Sequence, residues 1–237
     1  MDNDNTAATV ETYEDLAGLV DYSLIRTELS EEDIARGCEI AKSYGLAAVI
    51  VRPSDVDLAA RWVGSSLRLA SIVDVPFGYS TTSAKTFAVR DLLRRGVKEI
   101  DTVMNTGKLI SRQFQYLEVE LHQMAESCHE SQAILKVHLE NEYLNEELKI
   151  VACRIAKRAG VDYLSSASLE DILLLQTHAR EKLRLKSIAA IDDLETAQAF
   201  RNAGCTRLQL TNPKPILDSW KVALAARQQD AKVASES

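Results

Sequence analysis

Short apolar runs alternate along this chain with longer stretches in which apolar positions recur every three or four residues. The runs are LVDYSLI (19–25), LAAVIV (46–51), LRLASIVDV (67–75), VKEIDTVMN (97–105), AILKVHLE (133–140), VDYLSS (161–166), LRLKSIAAI (183–191) and TRLQLT (206–211). Each has the length of a strand, and most are rich in Val, Ile and Leu, as strands covered by helices should be. The stretches between them follow helix grammar. Residues 30–45 open on Ser30 and Asp33 and close at Gly45; 83–96 close at Gly96; 145–160 run from Asn145 to Gly160; 192–204 close at Gly204. Small polar residues at the start and glycine at the end are the usual helix caps. Eight strands, each followed by a helix, predict a single (β/α)8 TIM barrel. An open doubly wound sheet would carry a glycine-rich loop after its first strand, and the segment DYSLIRTE has no glycine. The barrel is expected over residues 12–226, with polar, non-periodic and flexible tails at 1–11 and 227–237.

Strand side chains alternate, so one parity of each run faces the barrel lumen, and chemistry in such barrels sits at the C-terminal strand ends. Polar residues embedded in apolar runs near those ends are Asp21, Arg52, Asp74, Asp101, Asn105, Lys136, His138, Glu140 and Lys186. In KVHLE, Lys136, His138 and Glu140 share one face while Val137 and Leu139 share the other. In the fourth run Glu99, Asp101, Val103 and Asn105 share a face. Charges in a lumen must be paired or hydrated, and such clusters are often functional. Local roles stand beside the functional ones: backbone hydrogen bonding for Asp21, a loop surface for Arg52, a turn for Asp74, a cap for Glu140, a satisfied core histidine for His138. Asp101, Lys136 and Lys186, with apolar neighbours on both sides, are harder to explain that way.

Composition narrows the partners. The chain has 237 residues, 46% hydrophobic and 27% charged, with 28 Lys+Arg against 35 Asp+Glu and a formal net charge of −7. That balance, with no basic run and few aromatics, argues against nucleic acid or an anionic membrane surface as partner. No apolar stretch is long enough to span a bilayer, and the start lacks a basic n-region and an apolar h-region, so a cytoplasmic protein is expected. Cys38, Cys128, Cys153 and Cys205 are widely spaced and read as buried free thiols, and the four histidines have no metal-ligand spacing.

The ordered motifs resemble the deoxyribose-phosphate aldolase family from about residue 19 to 212. DYSLI (21–25) is similar to the family's Asp-His-Thr-Leu-Leu and VIVRP (49–53) to Val-Cys-Val-Asn-Pro. DVPFG (74–78) resembles Gly-Phe-Pro-x-Gly, EIDTVMN (99–105) Glu-Ile-Asp-Met-Val-Ile-Asn, and LKVHLE (135–140) Leu-Lys-Val-Ile-x-Glu. The resemblance implies a class I aldolase, in which a lysine amine forms a Schiff base with a carbonyl substrate. It implies Asp101 as proton shuttle, Lys186 as the second lysine that tunes the first, and Lys136 as a retained family lysine. Asp21, Arg52, Asn105 and Glu140 are the expected substrate-binding residues, Arg52 as an added lumen cation. It also marks a departure: the Schiff-base lysine position, in the family's Lys-Thr-Ser-Thr-Gly, corresponds to Ser165. The family's phosphate loops Gly-Gly-Ile-Arg and Gly-Thr-Ser correspond to Ala189-Ala190-Ile191-Asp192 and Gln209-Leu210-Thr211, which implies weak phosphate binding.

Three expectations follow. The first is a lyase for a small carbonyl substrate in which Lys186 or Lys136 replaces the missing amine. The second is an inactive barrel that binds or assembles, as a homodimer or with an active paralogue. The third, metal ligation by Asp21, Asp74, Asp101 and Glu140, is disfavoured because the lysines compete for the same carboxylates; no cofactor and no metal are expected.

Overall fold

The computed structural model describes residues 12–179 and 182–235. Eight strands close into one barrel, each parallel to its neighbours: β1 (Val20–Leu24), β2 (Ala48–Val51), β3 (Arg68–Val73), β4 (Glu99–Val103), β5 (Ile134–His138), β6 (Tyr163–Ser166), β7 (Arg184–Ser187) and β8 (Cys205–Leu210). β8 returns to β1, pairing Val20 with Leu208 and Asp21 with Gln209. The helices are α1 (Tyr13–Ala17), α2 (Glu31–Ser43), α3 (Val56–Val63), α4 (Thr82–Arg94), α5 (Thr106–Ile110), α6 (Phe114–Glu130), α7 (Glu146–Ala159), α8 (Leu169–Ala179), α9 (Leu194–Asn202) and α10 (Pro213–Ser235). The expected tail at 1–11 lies outside the described residues. The segment expected as the C-terminal tail continues α10 as far as Ser235, because Gln, Ala and Lys in that stretch all favour helix.

Caps place the helices. Ser30 and Asp33 form a reciprocal capping box on α2. Asn145 accepts from Leu148 N at the start of α7, and Gly160 ends that helix at φ 81°, a conformation glycine adopts without strain. Asp193 caps α9 by accepting from Thr196 N at 2.7 Å. That gives this acid, which directly follows the altered loop Ala189-Ala190-Ile191-Asp192, a local job.

The barrel wall divides the apolar residues in two. Val49, Val51, Leu69, Val73, Ile100, Leu135, Val137, Leu164, Leu185, Leu208 and Leu210 point outward and join the large core beneath the helices. Ala48, Ile50 and Ala70 form a separate small cluster with Ile25 and Ile72 against it, which is the lumen side of β2 and β3. The lumen is therefore apolar on that flank. Opposite it, the inward positions of β1, β4, β5, β7 and β8 are charged.

Several strands are shorter than their apolar runs, and the differences have local causes. β3 stops at Val73 because Asp74 turns to φ 56° and its carboxylate accepts from Ser80 N at 2.7 Å and Ser80 Oγ at 2.8 Å. β4 stops at Val103 and Asn105 begins α5. β7 ends at Ser187, whose Oγ accepts from Ala189 N. Asp74, Asn105 and Glu140 consequently lie in loops just past the strand ends. Among the described residues no helix is long and apolar enough to cross a membrane. The four cysteines are free and buried, and burial pushes the Cys38 and Cys153 thiols up to about 11 and those of Cys128 and Cys205 up to about 12.

Candidate active site

Strand register brings the charged residues together. Asp101 on β4 lies opposite Lys136 on β5, and Ser165 on β6 lies opposite His138 on one side and Lys186 on the other. Asp21, Glu99, Asp101, Lys136, Lys186 and Ser165 are all fully buried. Lys136 Nζ donates to Asp21 Oδ2 at 2.7 Å, contacts Glu99 Oε2, and stands 3.7 Å from Asp101 Oδ2. Lys186 Nζ lies 2.7 Å from Asp101 Oδ1 and 3.2 Å from Asp21 Oδ2. Arg207, on β8, contacts Asp21 Oδ1 and donates to Glu99 Oε1 at 2.8 Å. His138 Nε2 is 3.0 Å from Asp101 Oδ1.

Asp21, Glu99 and Asp101 thus face Lys136, Lys186 and Arg207, three negative charges against three positive ones. Burial alone would raise the acids of Asp21 and Asp101 and lower the bases. The opposite charges win: Lys136, Lys186 and Arg207 hold Asp21 down at about 2, and Lys136 and Lys186 hold Asp101 well below the carboxylate range. Against the same burial effect, Asp101, Asp21 and Glu99 raise Lys136 above its ordinary value, and Asp21 and Glu99 do so for Arg207. His138 goes the other way. Burial pushes its ring below the usual imidazole range despite the pull of Asp101. Asp101 Oδ2 and Ser165 Oγ are buried without a hydrogen-bond partner. Thr102 Oγ1 is a third such atom; buried polar atoms seldom lack a partner, and of the three, Asp101 Oδ2 and Ser165 Oγ lie on the lumen face of their strands.

The expected residues divide. Asp21, Asp101, Lys136, His138, Ser165 and Lys186 converge in the lumen. Arg52 does not add a cation there. Its guanidinium donates to Asp55 Oδ2 at 2.5 Å and to the carbonyls of Arg26, Thr27 and Leu29 at 2.9–3.2 Å. It clamps the loop between β1 and α2 by gathering those carbonyls, of which that of Arg26 also accepts from Leu29 N at 3.3 Å. Asn105 uses its Oδ1 to accept from Lys108 N at 3.0 Å as the cap of α5. Glu140 is part-buried at the mouth, two residues past β5.

Two groups escaped the sequence reading. Arg207 shares parity with Gln209, while Leu208 and Leu210 point outward; the test applied to KVHLE finds it when applied to TRLQLT. Lys85 lies on α4, where a lysine ordinarily faces solvent, yet it is buried. Its Nζ donates to Gly78 O at 2.7 Å and Glu120 Oε1 at 2.9 Å, pinning the loop after β3 to α6. No sequence signal separates it from the other helix lysines. Among the described residues no group of three or more His, Cys, Asp or Glu is placed to hold a metal ion.

A closed (β/α)8 barrel with lysines, carboxylates and a histidine gathered in its lumen defines an aldolase-like protein. The relatives agree. Deoxyribose-phosphate aldolase from Treponema denticola is 32% identical over 198 residues, 80% of this chain and 92% of that protein. The enzyme of the same name from Methanothermobacter thermautotrophicus is 32% identical over 222 residues, 90% of this chain and 98% of that one. The solved structure of QR15, an aldolase, superposes with a TM-score of 0.82 at 27% identity, covering 87% of this chain and 96% of its own. No family model matches the chain. The chain belongs to the deoxyribose-phosphate aldolase family.

Proposed function

We propose that this chain is a carbon–carbon lyase for a small aldehyde or sugar-phosphate-like carbonyl compound, with Lys186 supplying the amine that its family resemblance assigns to the position of Ser165. The observation that carries the reading is the contact between Lys186 Nζ and Asp101 Oδ1 at 2.7 Å, on the strand beside Ser165. Asp101 is the group placed to take a proton from that nitrogen, at a cost set by the charges that hold its carboxyl well below the ordinary range. Serine is shorter than lysine, and Ser165 lies opposite Lys186 in the sheet. Lys136 is the poorer candidate, since it contacts all three lumen carboxylates and they hold it as an ammonium.

In this mechanism the Lys186 amine adds to the substrate carbonyl and Asp101 returns the proton as water leaves. The resulting iminium draws the electron pair of the breaking carbon–carbon bond. Phosphate is bound weakly at the usual place. Methyl groups at Ala189 and Ala190 hinder close backbone approach to an anion, and Asp193 adds a carboxylate at the start of α9.

The test is imine trapping. The protein is incubated with acetaldehyde, and separately with 2-deoxyribose 5-phosphate, then reduced with borohydride and mapped by peptide mass spectrometry. An adduct on Lys186, absent from K186M, is the expected result. An intact fold with no adduct on any lumen lysine sinks the proposal. The second reading, a barrel that binds or assembles without turnover, has one observation of its own: the three-to-three charge match leaves every lumen amine paired.

A further inference from the structure

His138 ends β5 and is the one imidazole of the lumen cluster. It lies opposite Val103 on β4 and Ser165 on β6. It is 6% exposed, whereas Asp101, Lys136 and Lys186 are wholly enclosed, so it stands nearest the mouth. Its Nε2 is 3.0 Å from Asp101 Oδ1, the same oxygen that Lys186 Nζ approaches at 2.7 Å. An ionised carboxylate only accepts hydrogen bonds. Asp101 therefore requires a proton on Nε2, and a neutral ring then carries its lone pair on Nδ1. The charged and titratable groups around the ring are Asp101 from β4, Lys186 from β7 and Lys136 from its own strand. The two lysines disfavour a second proton.

We propose that His138 is the general base of this site, its tautomer set by Asp101, with Nδ1 taking the hydroxyl proton of a β-hydroxy carbonyl substrate. The inference rests on the lyase reading above and adds the group that moves the proton. The substrate O–H bond breaks toward Nδ1, and the carbon–carbon bond breaks with its electron pair passing to the imine nitrogen on Lys186. The first carbonyl product leaves. The enamine carbon then takes the proton back from Nδ1, and water releases the second carbonyl product from Lys186. One substrate and one catalytic water, formed earlier at the imine step, give two carbonyl compounds with no change of oxidation state overall.

The test combines two measurements. Nitrogen-15 NMR of histidine-labelled protein reads the His138 tautomer without any variant; Nε2–H with bare Nδ1 at pH 7 is expected. A proton on Nδ1 at that pH overturns the proposal. Solvent deuterium exchange into the methyl group of acetaldehyde then reads proton transfer at carbon, in wild type and in H138Q. The glutamine amide keeps a donor toward Asp101 but has no base, so a merely structural role survives the change. Exchange is expected to fall about 100-fold or more, the usual contribution of a positioned base, while the borohydride adduct on Lys186 persists. Unchanged exchange in H138Q with an intact adduct overturns the His138 role and leaves Lys186 standing. Exchange that depends on His138 with no wild-type adduct supports the base and removes the lysine. Neither exchange nor adduct in wild type removes both.

Discussion

Replacing Lys136 by methionine deletes one charge from a buried network and keeps the side chain's length and apolar stem. Lys136 touches Asp21 at 2.7 Å, Glu99 at closer range, and lies 3.7 Å from Asp101. Without it, three carboxylates face only Lys186 and Arg207. Leaving one buried charge uncompensated costs about 3–5 kcal/mol, and in a chain of this size each kcal/mol moves Tm by roughly 2–4 °C. K136M should therefore melt roughly 6–20 °C below wild type at neutral pH. The pH dependence has a definite sign. Asp21 is depressed from 3.8 to about 2 in the folded protein. Its contribution, of order 2 kcal/mol, is present above pH 3.8 and is lost as pH falls through 2. In K136M that depression shrinks, so the variant loses less on acidification and its deficit narrows between pH 7 and pH 2, the change falling below pH 3.8. D21N added to K136M restores the balance of charges and should recover at least about 1 kcal/mol, although D21N alone is destabilising. Urea melts of the four proteins at both pH values measure this. A deficit under about 1 kcal/mol at pH 7, or one that does not change with pH, refutes the electrostatic account.

Three further outcomes are expected. S165K adds a fourth cation beside Lys186; like charges about 5 Å apart at an effective dielectric near 20 repel by roughly 3 kcal/mol, so the introduced amine should titrate about 2 units below an ordinary lysine and become the site of borohydride trapping by acetaldehyde, a result that trapping at unchanged pH dependence would contradict. K85M strands Glu120 and frees the loop around Gly78, and should destabilise by about 3–5 kcal/mol in urea melts, with E120Q partly rescuing it. G78A forces a left-handed residue (φ 70°) and brings a Cβ to 2.7 Å from Val103 O, so a loss of about 1–3 kcal/mol with displaced amide signals around Val103 is expected.

The barrel was legible because its signals are local. Eight strand-length runs and caps such as Ser30–Asp33 and Asn145 need only neighbouring residues to be read. Parity carried the reading one step further: in KVHLE it placed Lys136 and His138 in the lumen, and Asp101 followed from EIDTV. What stayed hidden depends on closure. Arg207 meets Glu99 across 108 residues of sequence and Asp21 across 186, and that meeting happens only because β8 returns to β1. Arg52 reads as a free cation until the loop between β1 and α2 is seen folding its carbonyls over the guanidinium. Lys85 reads as a solvent lysine until Glu120 is brought against it by α6.

Charge balance also explains which residues can be exchanged. An amine attacks a carbonyl in its neutral form, and a lysine that already rests neutral contributes no charge to the lumen. Exchanging such a lysine for serine, as the family resemblance assigns to position 165, leaves the balance of Asp21, Glu99 and Asp101 against Lys136, Lys186 and Arg207 untouched. Removing any one of those six leaves a buried charge without its partner. Folding alone therefore favours keeping all six, Lys186 and Asp101 included, and their presence is no argument for catalysis. The discriminating residues are those at the open end, where Asp101 Oδ1 is shared between Lys186 and His138 and Ser165 Oγ stands unpartnered between their strands. An imidazole there adds nothing to the charge balance while it is neutral. The proposed proton transfer would give it a use beside the shared oxygen, which is why the His138 tautomer and the Lys186 adduct, and not the survival of the ion-pair network, decide whether this lumen breaks carbon–carbon bonds.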